Sequence, residues 1–569
     1  MIDLTKLSNP TPAEAARFLN QATWGFNSTD LAYLVANGYN AWFDRQFKVP
    51  YEEAPGHYNW VMTHYPPDRT GANDLFLHFT QSVVRRAAQS RDLLRQKLTF
   101  ALSQILVTSG QADPYHAFRH ISMASYYDLL GLNAFGKYED LLVKVSKSIV
   151  MANYLTFLGS RKEDGVSRPD ENYARELQQL FTIGVDLLDP VTGQPVPDPT
   201  KPGSNVEAYS IGHIRSIAKV FTGFYVDNGQ FQFPSGYGPY DSTGQQSPNF
   251  GQVNFNANDH DGTPFTLLYP TASGGAVQKN VFYRVDVPQY TNDPDAGPKR
   301  VEDCVRGLAK HPNVAFFVAR QLIQRFVTSN PSQSYVTNVA RVHQQTNGDL
   351  SQVVKAVLMD ESLFVEGRRT GGAGPDFGRI REPFARLTQW ARLFSAQSVS
   401  GKWWLGDHPV SPHHPTQFGQ SPLMAKSVFN FYRPSYVYPT GIETTKPAPS
   451  PMDVWGGKRV APELQLVNEY TSQSYLGAIY QVLDANQGVG GGKDTLSAYS
   501  AWTPKASNPA LLVAELNLML AAGRVNATAI KQIVQAVSAM ANSTEVDRRN
   551  RVQAAAFLLM IAPEYIVQK

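Results

Sequence analysis

Apolar residues recur at helical spacing through most of this chain, with two long interruptions. It runs through 12–47, 74–109, 121–160, 170–183 and 210–224, returns at 300–328, 349–365 and 381–395, and holds over most of 462–569. From 226 to 298 it gives way to Gly, Asn, Asp, Gln, Phe and Tyr, and 400–460 is again irregular and aromatic-rich. A chain so patterned is expected to be all-α, a large multi-helix domain with two long irregular aromatic-rich insertions carrying short strands. The expected division is 1–190, an N-terminal helical core; 191–299, an irregular insertion with short strands; 300–395, helical core; 396–460, an aromatic loop insertion; and 461–569, a C-terminal helical region. With 42% hydrophobic residues among 569, these parts can pack as one large globular unit.

Punctuation supports the helices. Thr11 or Pro12 can start the first and Gly25 can end it. The 74–109 stretch should break near Gln89–Ser90, and Gly131 and Gly136 separate two helices within 121–160. Ser210 reads as the N-cap of IGHIRSIAKVFTGF, with Ile211, Ile214, Ala218 and Phe221 on one face.

Composition removes several function classes. Net charge is +3 with no block of like charge, which gives no nucleic-acid tract and no membrane-surface patch. Cys304 is the single cysteine, so there is no intramolecular disulfide and no cysteine metal site. No apolar run reaches about 18 residues, the length a spanning helix needs. MIDLTKLSNPTP lacks the order of a signal peptide, and a start Met placed before a mature sequence would look like this. There is no GxSxG elbow, HExxH, P-loop or GxGxxG, so serine-hydrolase, zincin and nucleotide readings lose their usual support.

The segment RPDENYARELQQLFTIG, residues 168–184, raises a sharper question. On a helical wheel Tyr173, Leu177, Leu180 and Phe181 form a core stripe, and Glu176 lies at its border. A carboxyl there is partly withdrawn from water, which raises its pKa. Glu171 and Arg175 are spaced for an i,i+4 ion pair, and Asn172 is spaced to hold Glu176. The plain alternative is a capped helix with a solvated charged face. The chemical one is an oriented general acid.

NYARELQQLFTIGV resembles the signature of a large bacterial family called "domain of unknown function 1800". AARFLNQATWGF, NGYNAWFDRQF, SIGHIRSIAKVFTGF, NDHDGTPF, LAKHPNVAFFVARQLIQRFV, GQSPLMAKSVFNFYRPSY and MIAPEYIVQK resemble further family segments in the same order. The resemblance implies a mostly helical, usually exported bacterial protein whose genes often lie beside a family of sulfatase-like character. It implies no agreed activity. Where the family commonly shows a Trp/His-rich run, this chain reads ALSQILVTS, with Ser103 and Gln104 near the polar positions. Phe181 stands where the family often has His. If those histidines bind a metal in relatives, this chain lacks them, and no metal or other cofactor is expected.

Three other features carry candidate chemistry. In NANDHDGTPF, residues 256–265, Asp259, His260 and Asp261 could serve as base, orienter or cation ligands, or could simply form a turn. Arg91 and Arg95 lie one helical turn apart and could hold a sulfate or uronate, or pair with internal carboxylates such as Asp92 or Glu176. The insertions offer aromatic rings for sugar stacking, or for a satellite core: Phe231, Phe233, Tyr237, Tyr240 and Phe250 in one, Trp403, Trp404, Phe429, Phe431, Tyr432, Tyr436 and Tyr438 in the other. Asn430 and Arg433 stand beside the second set. His413 and His414, between prolines, read as loop residues.

The expectation is an exported, periplasmic or secreted, carbohydrate-active enzyme, a glycoside hydrolase cleaving a polysaccharide or oligosaccharide. Glu176 would donate the proton, with Asp259 or Asp261 as base or nucleophile and His260 beside them. Asn172 and Arg175 would orient the acid, and Trp403, Trp404 and Tyr432 would stack on sugar rings, with Arg91, Arg95, Asn430 and Arg433 adding polar contacts. The alternatives are a non-catalytic glycan-binding or assembly protein acting with a sulfatase-like neighbour, and a metal-dependent oxidoreductase using His260.

Overall fold

Reciprocal capping starts the chain's first two helices. Thr11 accepts from the Glu14 amide while Glu14 accepts from the Thr11 amide at 2.7 Å, opening α1 (Pro12–Ala22). Asn27 and Asp30 do the same for α2 (Ser28–Lys48), which kinks at Gly38. Gly25 between them has φ +148°, and a Cβ there would lie 2.7 Å from the Gln389 Cα. Only glycine allows the turn to pass so close to a central helix. The computed structural model describes residues 7–51, 56–64, 76–110, 119–225, 253–372, 377–404, 418–437, 459–484 and 494–569.

The N-terminal part continues through α3 (His57–His64), α4 (Phe76–Gln89), α5 (Leu93–Ser103), α6 (Arg119–Leu132), α7 (Tyr138–Ser146), α8 (Ile149–Tyr154), α9 (Asn172–Gln179) and α10 (Ile211–Val220). The expected break after Gln89 is present. Strands β1 (Phe224–Tyr225) and β2 (Asn254–Phe255) pair, and β3 (Phe265–Ser273) and β4 (Ala276–Val287) form an antiparallel hairpin. Then follow α11 (Ala296–Ala309), α12 (Pro312–Phe326), α13 (Gln333–Gln345), α14 (Leu350–Leu358) and α15 (Pro383–Leu393). The C-terminal part holds α16 (Glu469–Leu483), α17 (Pro509–Ala521), α18 (Ala527–Ser538), α19 (Glu545–Met560) and α20 (Pro563–Ile566). Further strands β5 (Phe364–Val365), β6 (Arg368–Arg369), β7 (Arg379–Ile380), β8 (Gln397–Ser398), β9 (Thr495–Leu496) and β10 (Val567–Gln568) are two residues each, and every sheet among the described residues is two-stranded. The fold is mostly helical with short strand pairs, as the hydrophobic period predicts.

One continuous apolar core runs from Ala15 to Tyr565. At its centre every residue of α15 is buried, although the helix carries Arg386, Gln389 and Arg392. Buried polar groups must find partners, and these do. Arg392 donates to the Ala88 and Ser90 carbonyls at 3.1 and 2.7 Å, and Arg386 lies 4.2 Å over the Tyr475 ring. Trp24 and Phe100 pack on Phe384. β10 returns to pair with β7, tying the last residues to the middle of the chain.

Next to α15 lies a buried layer of charge. Arg379 bridges Glu382 and Glu463, each at 2.8 Å, and all three are about 1% exposed. Glu382 also accepts from Gln104 at 2.5 Å, Gln420 at 2.7 Å and the Tyr432 hydroxyl at 2.8 Å. Burial alone would raise this carboxyl. Arg379, Lys97 and these donors outweigh that and hold it at about 2.

That layer corrects the expected role of the aromatic insertion. Tyr432 is buried and spends its hydroxyl on Glu382. Trp403 is 2% exposed and sits in the core. Trp404 is half-buried, with its amide on Asp494 at 2.7 Å and its ring 6.1 Å from His78. Trp403 and Tyr432 offer no open face for a sugar, because the rings that make a loop aromatic also pin it to the body. Phe429 is exposed and carries the Arg433 guanidinium 4.8 Å over its ring. Asn430 has φ +65° and a buried Nδ2 without a hydrogen-bond partner. Phe231, Phe233, Tyr237, Tyr240, Phe250, His413, His414 and Tyr438 lie outside the described residues.

Candidate functional site

α9 and α10 run antiparallel. Glu171, the residue before α9, meets Arg215 near the middle of α10, and Gln179 at the other end of α9 accepts from Tyr209, just before α10, at 3.2 Å. Tyr173, Phe157 and Phe221 fill the space between, with ring centroids 4.7–5.1 Å apart. The expected core stripe is present: Tyr173, Leu177 and Phe181 are fully buried, and Leu180 partly so. On α10 the inward residues are Ile214, Ile217, Ala218 and Val220. Ile211, expected on that face, is 49% exposed.

Glu176 is 8% exposed, and its Oε2 is buried with no hydrogen-bond partner. Burial pushes this carboxyl above the usual range, and the neighbouring Arg175 only partly offsets it. The half-buried phenols of Tyr154 and Tyr209 are raised first by burial and then by the Glu176 charge, which puts both rings in its neighbourhood. The expected Asn172–Glu176 contact is not formed. Asn172 donates instead to the Thr156 hydroxyl at 3.2 Å, and that hydroxyl donates to Asp170 at 3.0 Å. Thr156 is β-branched with φ +65°, an exposed and strained backbone position held by these bonds. Arg175 pairs with Glu171 at 3.5 Å in the expected i,i+4 register.

The Asp259–Asp261 turn is a separate construction. Asp259 accepts from Tyr225 at 2.8 Å and Asn256 at 3.1 Å, with Arg161 at 4.0 Å. Asp261 accepts from the Thr263 amide at 3.0 Å and pairs with Lys219 at 3.4 Å. Burial would raise Asp261, but Thr263 and Lys219 bring it below its ordinary value. His260 is buried, with Nδ1 donating to the Thr222 carbonyl at 2.9 Å. Burial lowers its pKa, and Arg300 adds to that, so it is neutral at pH 7.

A glycosidase dyad needs a second carboxylate free to face the acid, whereas Asp259 and Asp261 are engaged with Tyr225, Asn256, Thr263 and Lys219, and with His260 they lock the turn to the end of α10. No group of three metal-binding side chains occurs among the described residues, and the one His260 nitrogen facing a partner is spent on a carbonyl.

Arg91 and Arg95 also separate. Arg91 is exposed, whereas Arg95 turns inward to the Gly131 and Val49 carbonyls, both at 3.2 Å, and lies 4.3 Å over Phe135. They form no joint anion clamp, because Arg95's donors are used by carbonyls that a helix end and a loop leave open.

Sequence reasoning missed Tyr154, Thr156, Tyr209 and Arg215. Nothing local marks them, since each enters through the packing of α9 on its neighbours.

The arrangement defines a mostly helical protein in which the Glu176 carboxyl is buried with Oε2 unpartnered, next to the exposed Arg175 and Arg215. Residues 17–567 match the model of the family described as "Protein of unknown function (DUF1800)", and the chain belongs to that family. It has no match among curated proteins and none among solved structures.

Proposed function

We propose that the protein acts on a polysaccharide outside the cytoplasm, with Glu176 as the group that gives a proton to the polymer. The observation that carries this reading is a carboxyl 8% exposed, raised in pKa and without a partner for Oε2. A protonated carboxyl donates one hydrogen bond and can release that proton to a glycosidic oxygen as its bond to carbon breaks. Tyr154 and Tyr209 flank it as half-buried rings with polar ends, which suits a sugar face.

In the hydrolase form of this reading, water adds to the anomeric carbon and its proton passes to solvent. A second form, a glycan-binding protein that works with a neighbouring partner, is favoured by one observation: Asp259 and Asp261 are committed elsewhere. There Glu176 holds a sugar hydroxyl without releasing its proton.

One experiment separates the two. A polysaccharide panel is incubated with wild type and Glu176→Gln, and new reducing ends and binding are both measured. Turnover lost with binding kept supports the enzyme. Binding weakened with no turnover in either protein supports the binding protein. Unchanged binding and unchanged turnover in the variant sink both.

A further inference from the structure

Glu171 sits between two arginines from different helices. Its Oε2 lies 3.5 Å from Arg175 and its Oε1 3.3 Å from Arg215. Charge-assisted bonds of this kind usually close to about 2.7–2.9 Å, so the carboxylate is held loosely. Glu171 is the N-cap residue of α9, yet its side chain makes no capping hydrogen bond, so moving it aside costs the helix nothing directly. Arg175 and Arg215 are 42% and 64% exposed at the side chain, and Glu171 is 35% exposed. All three are reachable from solvent, and Glu176 follows Arg175 on the same helix.

We infer that this site takes a polyuronate, and that the uronate carboxylate is received between Arg175 and Arg215 in the place Glu171 now occupies. The inference rests on Glu176 being the reacting group and adds the chemical class of its ligand. Once Glu171 moves aside, both guanidiniums are open to another carboxylate in its place. Burial disfavours the charged form of Glu176, the residue after Arg175 along the helix. A neutral sugar has no carboxylate to set between the two guanidiniums. Glu171 itself demonstrates that a carboxylate can meet one arginine with each oxygen. The polar cluster of Thr156, Asp170 and Asn172 beside it offers hydroxyl contacts.

The test uses the full chain and one backbone in two charge states: de-esterified homogalacturonan and its methyl ester, with dextran as neutral control. Binding is measured by calorimetry at low and high salt. The de-esterified polymer should bind at least tenfold tighter than the ester, and salt should weaken it. Arg215→Gln, a surface change, should lose tenfold or more. Glu171→Gln should tighten binding several-fold, because it removes the internal competitor; a purely structural Glu171 would not do this. Equal binding of ester and acid, an unaffected Arg215→Gln, or weaker binding by Glu171→Gln would each overturn the inference. Turnover of dextran that depends on Glu176, without preference for charge, would overturn the inference and leave the proposed function standing. Charge-selective binding that is indifferent to Glu176→Gln in turnover would do the reverse. Binding of none of the polymers would overturn the inference outright.

Discussion

Replacing Lys97 by Met should stabilise this protein in a pH-dependent way. Lys97 lies on α5 at 3% exposure, facing Phe326 and the buried charge layer. Burial drives its pKa down from 10.5 to about 7; Arg379 and Arg381 push in the same direction, and Glu382 and Glu463 oppose them. The folded pKa is thus below the unfolded one. Between about pH 7 and 10.5 the unfolded chain holds a proton that the folded chain lacks, so stability rises with pH across that window. Below pH 7 both forms are charged and the folded state bears the whole cost. The span of about 3.5 decades, at about 1.4 kcal/mol each, sets a ceiling on the order of 5 kcal/mol. Met fills a similar stem, with a packing change of about 1 kcal/mol, and Glu382 keeps Arg379, Gln104, Gln420 and Tyr432. Urea-unfolding midpoints at pH 6, 8 and 10 measure the effect. Lys97→Met should lead wild type by a few kcal/mol at pH 6, on the order of the ceiling, and the lead should shrink to near zero by about pH 10.5. A variant less stable than wild type at pH 6, or a difference flat with pH, would mean that the ammonium is stabilised by its two carboxylates, and the reasoning fails.

Arg379→Met should be the opposite kind of change, since it strands Glu382 and Glu463 in the core. A loss of about 3–5 kcal/mol is expected in the same denaturation experiment. Gly193→Ala should destabilise by about 1–3 kcal/mol, read as a lowered unfolding midpoint. Gly193 has φ +67°, and a Cβ would lie 2.2 Å from the Phe316 ring. For Glu176→Gln the sign follows from a raised folded pKa. In wild type the protonated carboxyl contributes stability below the unfolded pKa, and this is lost as pH rises through the folded value. The variant should therefore match wild type at pH 4 and exceed it at pH 8, and a variant less stable at pH 8 would show that Glu176 has a stabilising partner. Trp403→Ala should cost about 3–5 kcal/mol in stability, and any polysaccharide binding should persist in the fraction that remains folded.

Much of the helical plan was legible because apolar periodicity and capping are local signals. The break after Gln89, the Thr11 and Ser210 caps and the Glu171–Arg175 pair all lie within one or two turns of sequence. What was not legible depends on distant partners. Composition marks 400–460 as aromatic, but only the Glu382 carboxylate, fifty positions away, explains why Tyr432 turns inward. Spacing offers Asn172 to Glu176, but the Thr156 hydroxyl, sixteen positions earlier, takes it. Arg215 reaches Glu171 across 44 positions, and no local pattern announces that. The DHDG turn carries the right residues for chemistry, and its contacts with Thr222, Tyr225 and Lys219 use them for structure instead.

The contrast between two buried glutamates is what separates storage from use in this fold. Glu382 is surrounded by an arginine, two amides and a phenol, and its pKa is held near 2. A carboxylate so satisfied has no free valence for a ligand, and its perturbed pKa reflects an internal ion network. Glu176 is nearly as buried, yet Oε2 has no donor and the pKa moves the other way. Leaving a buried polar atom unsatisfied costs about 1–3 kcal/mol, and a fold that gives Glu382 so many donors had the means to give Glu176 one. Asn172 stands one helical turn away and is turned to Thr156, whose backbone is itself strained. A ligand that donates to Glu176 would relieve the cost of its unsatisfied oxygen.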